Sequence, residues 1–356
     1  MQSRLPSDRP RQPATELVGP DQRALWDGFV GDRCDGVLMQ SWGWGELRRQ
    51  YGWRALRIMA RDPSSGDPVG ALQVLDRLIG PGGLSWAYAP RGPALGRSAD
   101  LAVAAALLGR AAHELRRRRA VSLHLDPEWP LDSPQWDALR HGLRLRPARY
   151  DIQHRNTWLL DLTGEEAALF GRLPSSTRRN IRMASRAGVQ VERETTFEAV
   201  QRFYRLHLAT VQRQGFTTRP CGYYELARQE LGAAVFTAVH RTTPLAAAIA
   251  VVFGTRLIYL YGGTSTDLPQ ARASYALHWE IIRWGLRQGC TKYDMWGVPR
   301  RFDPANPSHG YATFKTRWGG AQASHSGLLN APLWGALDPA VHLAESLALR
   351  RRPLLT

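Results

Sequence analysis

Lysine is scarce in this chain. Of its 47 basic residues only Lys292 and Lys315 are lysines; every other is an arginine. Lys315 stands in the run Phe314-Lys315-Thr316-Arg317-Trp318-Gly319-Gly320, reached through a Pro/Gly-rich loop. A lysine kept where the chain otherwise writes arginine points to a need for a compact ammonium. That group is a point donor able to lose its proton, whereas the guanidinium fork is larger and stays charged. A second group is made of arginines. Arg178, Arg182 and Arg186 lie at i, i+4 and i+8 of a helical pattern, with Arg179 alongside, and no Asp or Glu occurs from Ala167 to Val191. A solvated helix face normally interleaves both signs, so this stripe points to a polyanion, with a plain exposed face as the competing reading. The net charge of +16 points the same way: to nucleic acid, a phosphorylated substrate or an anionic membrane.

Self-sufficient catalytic machinery is missing from the sequence. There is no HExxH, no Gly-x-Ser-x-Gly elbow, no Walker loop and no GxGxxG after a strand. The histidines have no metal-ligand spacing, and His124 and His240 read as packing or surface residues. Asp161, Glu165 and Glu166 read as helix-start charge, not as a carboxylate pair. What remains is transfer chemistry in which the substrates bring the reactivity. An amine attacking an activated acyl group needs mainly positioning and charge stabilisation.

The elements that must position these groups repeat. Strand patterns at Ala55–Ala60, Val69–Leu75 and Leu84–Ala89 precede an amphipathic helix, Asp100 to Arg119, and a strand, Ala120–Leu125. Strands at Ala234–His240, Leu245–Phe253 and Leu257–Tyr261, a helix over Ala271–Gln288 and a strand at Thr291–Trp296 restate that order. The βββαβ order thus occurs twice, about 170 residues apart, as in a duplicated α/β domain. The second set breaks at Gly262-Gly263, and only it ends in a Phe-Lys-x-x-x-Gly-Gly loop. Between the sets, Ser175/Ser176 opens the arginine helix, and Thr195-Thr196-Phe197-Glu198 fits a capping box for a helix stopped by Gly215. Near the start, Trp44, Leu47 and Tyr51 share one helical face while Arg48 and Arg49 point elsewhere. The first 15 residues read as a disordered tail. No apolar run reaches the roughly 18 residues of a spanning helix. Cys34, Cys221 and Cys290 form no CxxC pair and suggest a reducing compartment, with neither a disulfide framework nor a zinc site.

The N-acetyltransferase superfamily has this βββαβ order, but its acyl-CoA signature is missing from both halves. From about Leu38 to Gly320 the chain resembles the FemABX family of aminoacyl-tRNA-dependent transferases. These build peptidoglycan cross-bridges on two fused acetyltransferase-like (GNAT-like) domains. The resemblance is carried by Gln40…Trp44…Leu47-Arg48, Arg179-Asn180-Ile181…Ala187-Gly188-Val189, Gly215-Phe216-Thr217-Thr218-Arg219-Pro220, Tyr259-Leu260-Tyr261-Gly262-Gly263, Tyr293-Asp294-Met295-Trp296-Gly297-Val298 and Phe314-Lys315…Gly319-Gly320. It implies an α/β (α+β) fold of two GNAT-like domains, each a mixed sheet with flanking helices, and no long coiled-coil arm. The domains would span 16–155 plus 322–356, with Leu328, Leu329, Trp334, Leu337 and a helix to Arg352 returning to the first, and 156–321.

The resemblance also assigns roles. Lys315, after Phe314, matches the family lysine beside the tetrahedral centre, where an ammonium stabilises the oxyanion for about 2.7–4 kcal/mol. Arg219 matches a family arginine, and Arg48 a family lysine, that grip the diphosphate of the muropeptide precursor; Arg49 is an alternative at the second position. Tyr223, Tyr259 and Tyr261 match residues lining the peptide channel, with core packing as the competing reading; Asp126 falls at a family acidic position and reads as structural. Arg178, Arg179, Arg182 and Arg186 are the expected docking surface for aminoacyl-tRNA, through sequence-independent phosphate contacts. The implied partners are aminoacyl-tRNA, a lipid- or nucleotide-linked muropeptide and, peripherally, the inner membrane surface. DNA, metal and cofactor are not among them, and the expected location is cytoplasmic. Two rival readings stand beside it: an acyl-CoA N-acyltransferase on the same fold, and a tRNA-dependent tailoring enzyme of a small molecule. A non-catalytic RNA- or envelope-binding module is a third, of another class.

Overall fold

The computed structural model describes residues 12–79, 82–96, 100–215, 217–300, 302, 309–335, 340, 341 and 343. The first sheet is made of β1 (Ala14–Leu17), β2 (Arg54–Arg61), β3 (Pro68–Leu78), β4 (Ser85–Ala89), the short β5 (Ala94–Leu95), β6 (Ala120–Leu125) and β7 (Arg146–Pro147). The second holds β8 (Asn156–Asp161), β9 (Val189–Glu194), β10 (Ala234–His240), β11 (Thr243–Phe253), β12 (Arg256–Thr264), β13 (Lys292–Val298) and β14 (Ala321–Ser324). The chain then returns: β15 (Leu329–Ala331) inserts between β6 and β7 of the first sheet. Its return begins after Ser324 and not at residue 322, because β14 pairs with β8. The expected tail is overturned at its inner end, where Ala14 and Thr15 pair with Arg61 and Ala60. Residues 1–11 and most of the helix expected to run to Arg352 lie outside the described residues.

Among the described residues, four α-helices belong to the first half: α1 (Arg23–Gly28), α2 (Trp42–Arg49), α3 (Leu101–Arg117) and α4 (Pro134–Gly142). Six belong to the second: α5 (Glu166–Arg172), α6 (Ser175–Arg186), α7 (Phe197–Gln214), α8 (Cys221–Leu231), α9 (Ala273–Arg287) and α10 (His309–Thr316). Apolar residues at helical spacing decide what each one covers. Val103, Leu107, Ala111 and Leu115 seat α3 on the outer face of the first sheet. Leu277, Ile281 and Trp284 seat α9 on the outer face of the second. The inner faces meet in one shared core, where Trp44, Leu47, Trp53 and Leu75 pack with Phe203, Tyr224, Ile249 and Leu260. The layers therefore run α3, sheet, shared core with α2, α7 and α8, sheet, α9. Both α6 and α7 lie on the second half and form no projecting arm.

Three local expectations change. The cap of α7 is Thr196, whose hydroxyl accepts from the Ala199 amide, so Thr195 and Glu198 do not form the expected box. Gly262 and Gly263 do not end β12, which runs on to Thr264. They sit where α7 presses on the strand, and a side-chain carbon at Gly263 would lie 2.4 Å from the His207 backbone nitrogen. Lys315 stands in the last turn of α10, not in a loop; Gly319 and Gly320, both with positive φ, then reverse the chain into β14.

Candidate active site

The two sheets treat their parallel strand pair differently. In the first, β4 and β6 stay paired from Ser85 and Ala120 to Ala89 and Leu125. In the second, β12 and β13 pair only over Arg256–Ile258 and Lys292–Asp294, then part. Trp296 in the parted segment takes a left-handed φ of 68° and its amide is held by the Asp294 carboxylate. Lys315 fills the gap: its Nζ donates to the Gly297 carbonyl at 2.8 Å. The ammonium is almost wholly buried and lies 5.0 Å from the Tyr311 ring centre and 5.9 Å from that of Tyr259. Burial pushes its pKa down to about 7, with Asp294 opposing that shift. Near neutrality the residue is thus poised between donor and free amine.

A cavity of about 550 Å³ opens in the shared core beside this gap, walled by both halves. Arg48 enters from α2 and Arg219 from the loop before α8. Arg48 lies over Trp53 and Arg219 over Tyr223, and neither is paired with a carboxylate among the described residues. Two half-buried guanidinium groups in one cavity, without a carboxylate partner among the described residues, suit an anion with two phosphate-like ends. Tyr223 and Tyr261 complete the wall, the Tyr261 hydroxyl donating to that of Tyr223 at 3.3 Å. A smaller cavity of about 30 Å³ shares Met39, Gln153 and Trp296 with the large one and reaches Gly297, the partner of Lys315.

The structure separates residues that the sequence grouped. Tyr259 and Tyr261 were both expected along the peptide channel, but β12 carries a bulge between them: Ala250 opposes Tyr259 while Ile249 opposes Tyr261. One extra residue reverses the side-chain alternation, so Tyr261 faces the cavity and Tyr259 the outer core, near Lys315. Phe314 packs against Tyr275, His278 and Trp318 and has no place on the cavity wall. It is corrected from catalytic to packing, in the outer core of the second half. Arg49 points away and pairs with Glu46 at 2.8 Å. Asp126 is structural: it accepts from the Tyr88 hydroxyl and the Arg91 amide, and burial raises its pKa to about 6.

On α6, Thr177, Ile181 and Ala184 face the core while Arg179, Arg182 and Arg186 are exposed. Arg178 is half-buried and spent on the Gly171 and Leu173 carbonyls, so it leaves the expected surface. Arg182 lies over Phe170 at 5.3 Å.

The comparisons with known proteins agree with this geometry. The family profile described as an acetyltransferase (GNAT) domain matches residues 173–315. The chain is 26% identical over 301 residues to the UDP-N-acetylmuramoylpentapeptide-lysine N(6)-alanyltransferase of Weissella viridescens, covering 80% of this chain and 87% of that protein. It is 23% identical over 390 residues to the lipid II:glycine glycyltransferase of Staphylococcus saprophyticus, covering 88% and 93%. The solved structure of FemX superposes with a TM-score of 0.83 at 19% identity, over 92% of this chain and all of that one. The chain is similar along most of its length to transferases of the FemABX kind. Its fold is accordingly two GNAT-like domains, each a mixed sheet with flanking helices.

Several residues of the site escape sequence reasoning. His207 lines the cavity, with Nδ1 against the Gly262 carbonyl at 2.9 Å and Nε2 against the Tyr224 hydroxyl at 3.0 Å. Its place depends on how α7 docks, which no local pattern encodes. Behind Lys315, His278 is driven down to about 3 by burial and then by the Lys315 charge. Arg256 bonds Glu128 at 2.9 Å and meets Asp294 and Asp35 at 3.4 and 3.3 Å. Only Asp294 of these lay in a quoted motif. Among the described residues no group of three or more His, Cys, Asp or Glu is arranged to hold a metal ion, and no helix is long and apolar enough to cross a membrane.

Proposed function

We propose that this protein is an aminoacyltransferase that moves an amino acid from aminoacyl-tRNA to an amine of a peptidoglycan-precursor stem peptide or bridge. The observation that carries this reading is the joint cavity lined by Arg48 and Arg219, which shares Met39, Gln153 and Trp296 with the smaller cavity that reaches Gly297, the carbonyl partner of Lys315. The names of the relatives, an alanyltransferase and a glycyltransferase of muropeptide precursors, support the same class of acceptor.

In the proposed reaction the acceptor amine attacks the aminoacyl ester carbonyl, a C–N bond forms, the ester C–O bond breaks and the tRNA hydroxyl leaves. Lys315 as ammonium stabilises the oxygen of the tetrahedral intermediate. Arg48 and Arg219 hold the diphosphate that links sugar to carrier, and Tyr223 and Tyr261 flank the peptide. Arg179, Arg182 and Arg186 meet the phosphates of the tRNA. The reaction would take place on the cytoplasmic side of the membrane, where charged tRNA is found.

The test is direct. Purified protein, total charged tRNA and candidate muropeptides are incubated and the mass of the acceptor is read. A gain of one amino-acid residue, dependent on intact charged tRNA and abolished by ribonuclease, is expected. Acylation from acyl-CoA with no response to charged tRNA would overturn the reading. Charge reversal at Arg179, Arg182 and Arg186 that left tRNA affinity and its salt dependence unchanged would remove α6 from the docking surface.

A further inference from the structure

One rim of the first sheet collects both arginines and exposed apolar side chains. The β3–β4 hairpin brings Leu78 and Leu84 there, 56% and 38% exposed, with the Ile79 amide donating to the Leu84 carbonyl. The C-terminal turn of α3 ends at the same rim: the Ser85 amide donates to the Arg119 carbonyl, and Arg119 turns the chain with a φ of 58°. The returning chain arrives there too. Arg116 Nε donates to the Leu333 carbonyl at 2.7 Å, and the Trp334 indole N–H to the Ala120 carbonyl at 2.8 Å. Ala120 pairs with Ser85 in the parallel register, so Trp334 stands one strand away from the hairpin. Arg77, Arg117 and Arg119 are exposed around these apolar groups. Segments 77–85, 115–120 and 326–337 contain no Asp or Glu.

We propose that this rim is the surface by which the protein docks on an anionic phospholipid bilayer, with Leu78, Leu84 and Trp334 entering the headgroup layer and Arg77, Arg117 and Arg119 meeting its phosphates. A polynucleotide accounts for the arginines and leaves the exposed leucines unexplained. A bilayer interface takes both, since its surface is negative and its outer acyl region apolar. Trp334 fits the same boundary, its N–H end tied to protein and the residue as a whole 39% exposed. Each arginine near such a surface adds attraction that fades within a Debye length. The rim also adjoins the cavity. Leu75 lines it, and Arg77 follows two residues further along β3, about 7 Å at the rise of a strand.

This inference deepens the proposed function and rests on it in one respect: it makes the acceptor a lipid-linked muropeptide, presented to the cavity from the bilayer beside it. The docking itself is measured without any reaction. Full-length protein is co-sedimented with vesicles of phosphatidylglycerol and phosphatidylcholine, and with phosphatidylcholine vesicles alone. Partition onto the anionic vesicles is expected to be at least tenfold stronger, and to fall as salt rises. Two variants, Arg77→Ser/Arg117→Ser/Arg119→Ser and Leu78→Ser/Leu84→Ser, are each expected to lose that partition tenfold with unchanged melting temperature. Arg77→Lys/Arg117→Lys/Arg119→Lys is expected to keep most of it.

Wild-type partition by both Ser variants would overturn the proposal. So would an arginine variant that lost tRNA affinity while binding vesicles normally. Aminoacyl transfer to a soluble acceptor separates the two ideas. If transfer persists while vesicles are not bound, the rim is wrong and the reaction stands. If vesicles are bound and no acceptor is acylated, the reaction is wrong and the rim stands.

Discussion

At the scale of the residue, Lys315 is asked to do two things that pH pulls apart. Burial brings its pKa from 10.5 down to about 7, against the opposing pull of Asp294. The folded state therefore holds its proton less tightly than the unfolded chain, and between pH 7 and 10.5 the unfolded chain binds more protons. Stability contributed at this site rises with pH across that window. Its proposed function needs the ammonium, which is depleted over the same range. Activity and stability are thus expected to move in opposite directions above neutrality. Single-turnover rates at saturating substrates should fall about tenfold per pH unit above pH 7, a slope set by loss of one proton. Lys315→Ala should cost about 10²–10³ in that rate, the usual loss for one oxyanion donor, and should abolish the slope. A falling limb that persisted unchanged in Lys315→Ala would assign it to another group. Tyr259 and Tyr311 enter this argument only as the rings nearest the ammonium.

At the scale of the element, the decisive features are departures from regularity in β12 and β13. The parting of the strands after Ile258 and Asp294 leaves a gap for Lys315, and the bulge between Tyr259 and Tyr261 sends one ring to each side of the sheet. Close docking of α7 on the Gly262-Gly263 stretch then sets His207 into the cavity wall, where it meets the Tyr224 hydroxyl of α8. Gly263→Ala is expected to force helix from strand, because the new carbon would meet backbone of Leu206 and His207 and not a movable side chain. Overpacking of this kind costs about 1–3 kcal/mol, readable as a lower melting temperature and weaker binding of the acceptor. Unchanged melting would mean that α7 is free to shift. Strand and helix positions were legible from period and turn residues, since β10, β11 and α9 are apolar runs bounded by Gly, Pro and Thr. The scarcity of lysine singled out Lys315, and the arginine stripe singled out α6. The bulge was not legible, because it is a mismatch of register between two strands and neither strand alone encodes it. For the same reason Tyr259 was misplaced, and Arg178 was counted as surface although the Gly171 and Leu173 carbonyls hold it.

At the scale of the whole molecule, the halves are joined by charge as well as by their shared core. Arg256 on β12 meets Glu128 and Asp35 of the first half and Asp294 of the second; Lys292 reaches Asp35 at 2.6 Å. Glu128 lies 128 positions from Arg256, a distance at which no sequence pattern pairs them. Burial alone would raise the pKa of Glu128, yet the Arg256 guanidinium, with His325 and Arg91, brings it down to about 2. A carboxylate depressed in this way contributes stability that is complete above its unfolded value of 4.5 and is lost as pH falls through about 2. Arg256→Met keeps the length of the side chain and removes its charge, leaving Glu128 and Asp294 buried with fewer cations. Breaking such a buried network costs about 3–5 kcal/mol. The pKa of Glu128 should then rise, so that its protonation and the acid unfolding midpoint both move to higher pH. Acid titration followed by tryptophan fluorescence checks this, since Trp129 adjoins Glu128 in sequence and is buried in the core of the first half. Glu128→Gln in the Arg256→Met background should recover part of the loss, because it removes the carboxylate that the arginine no longer neutralises. An acid midpoint unmoved in Arg256→Met would show that the shared apolar core holds the halves without the ion network, and that the network serves the geometry behind Lys315 instead.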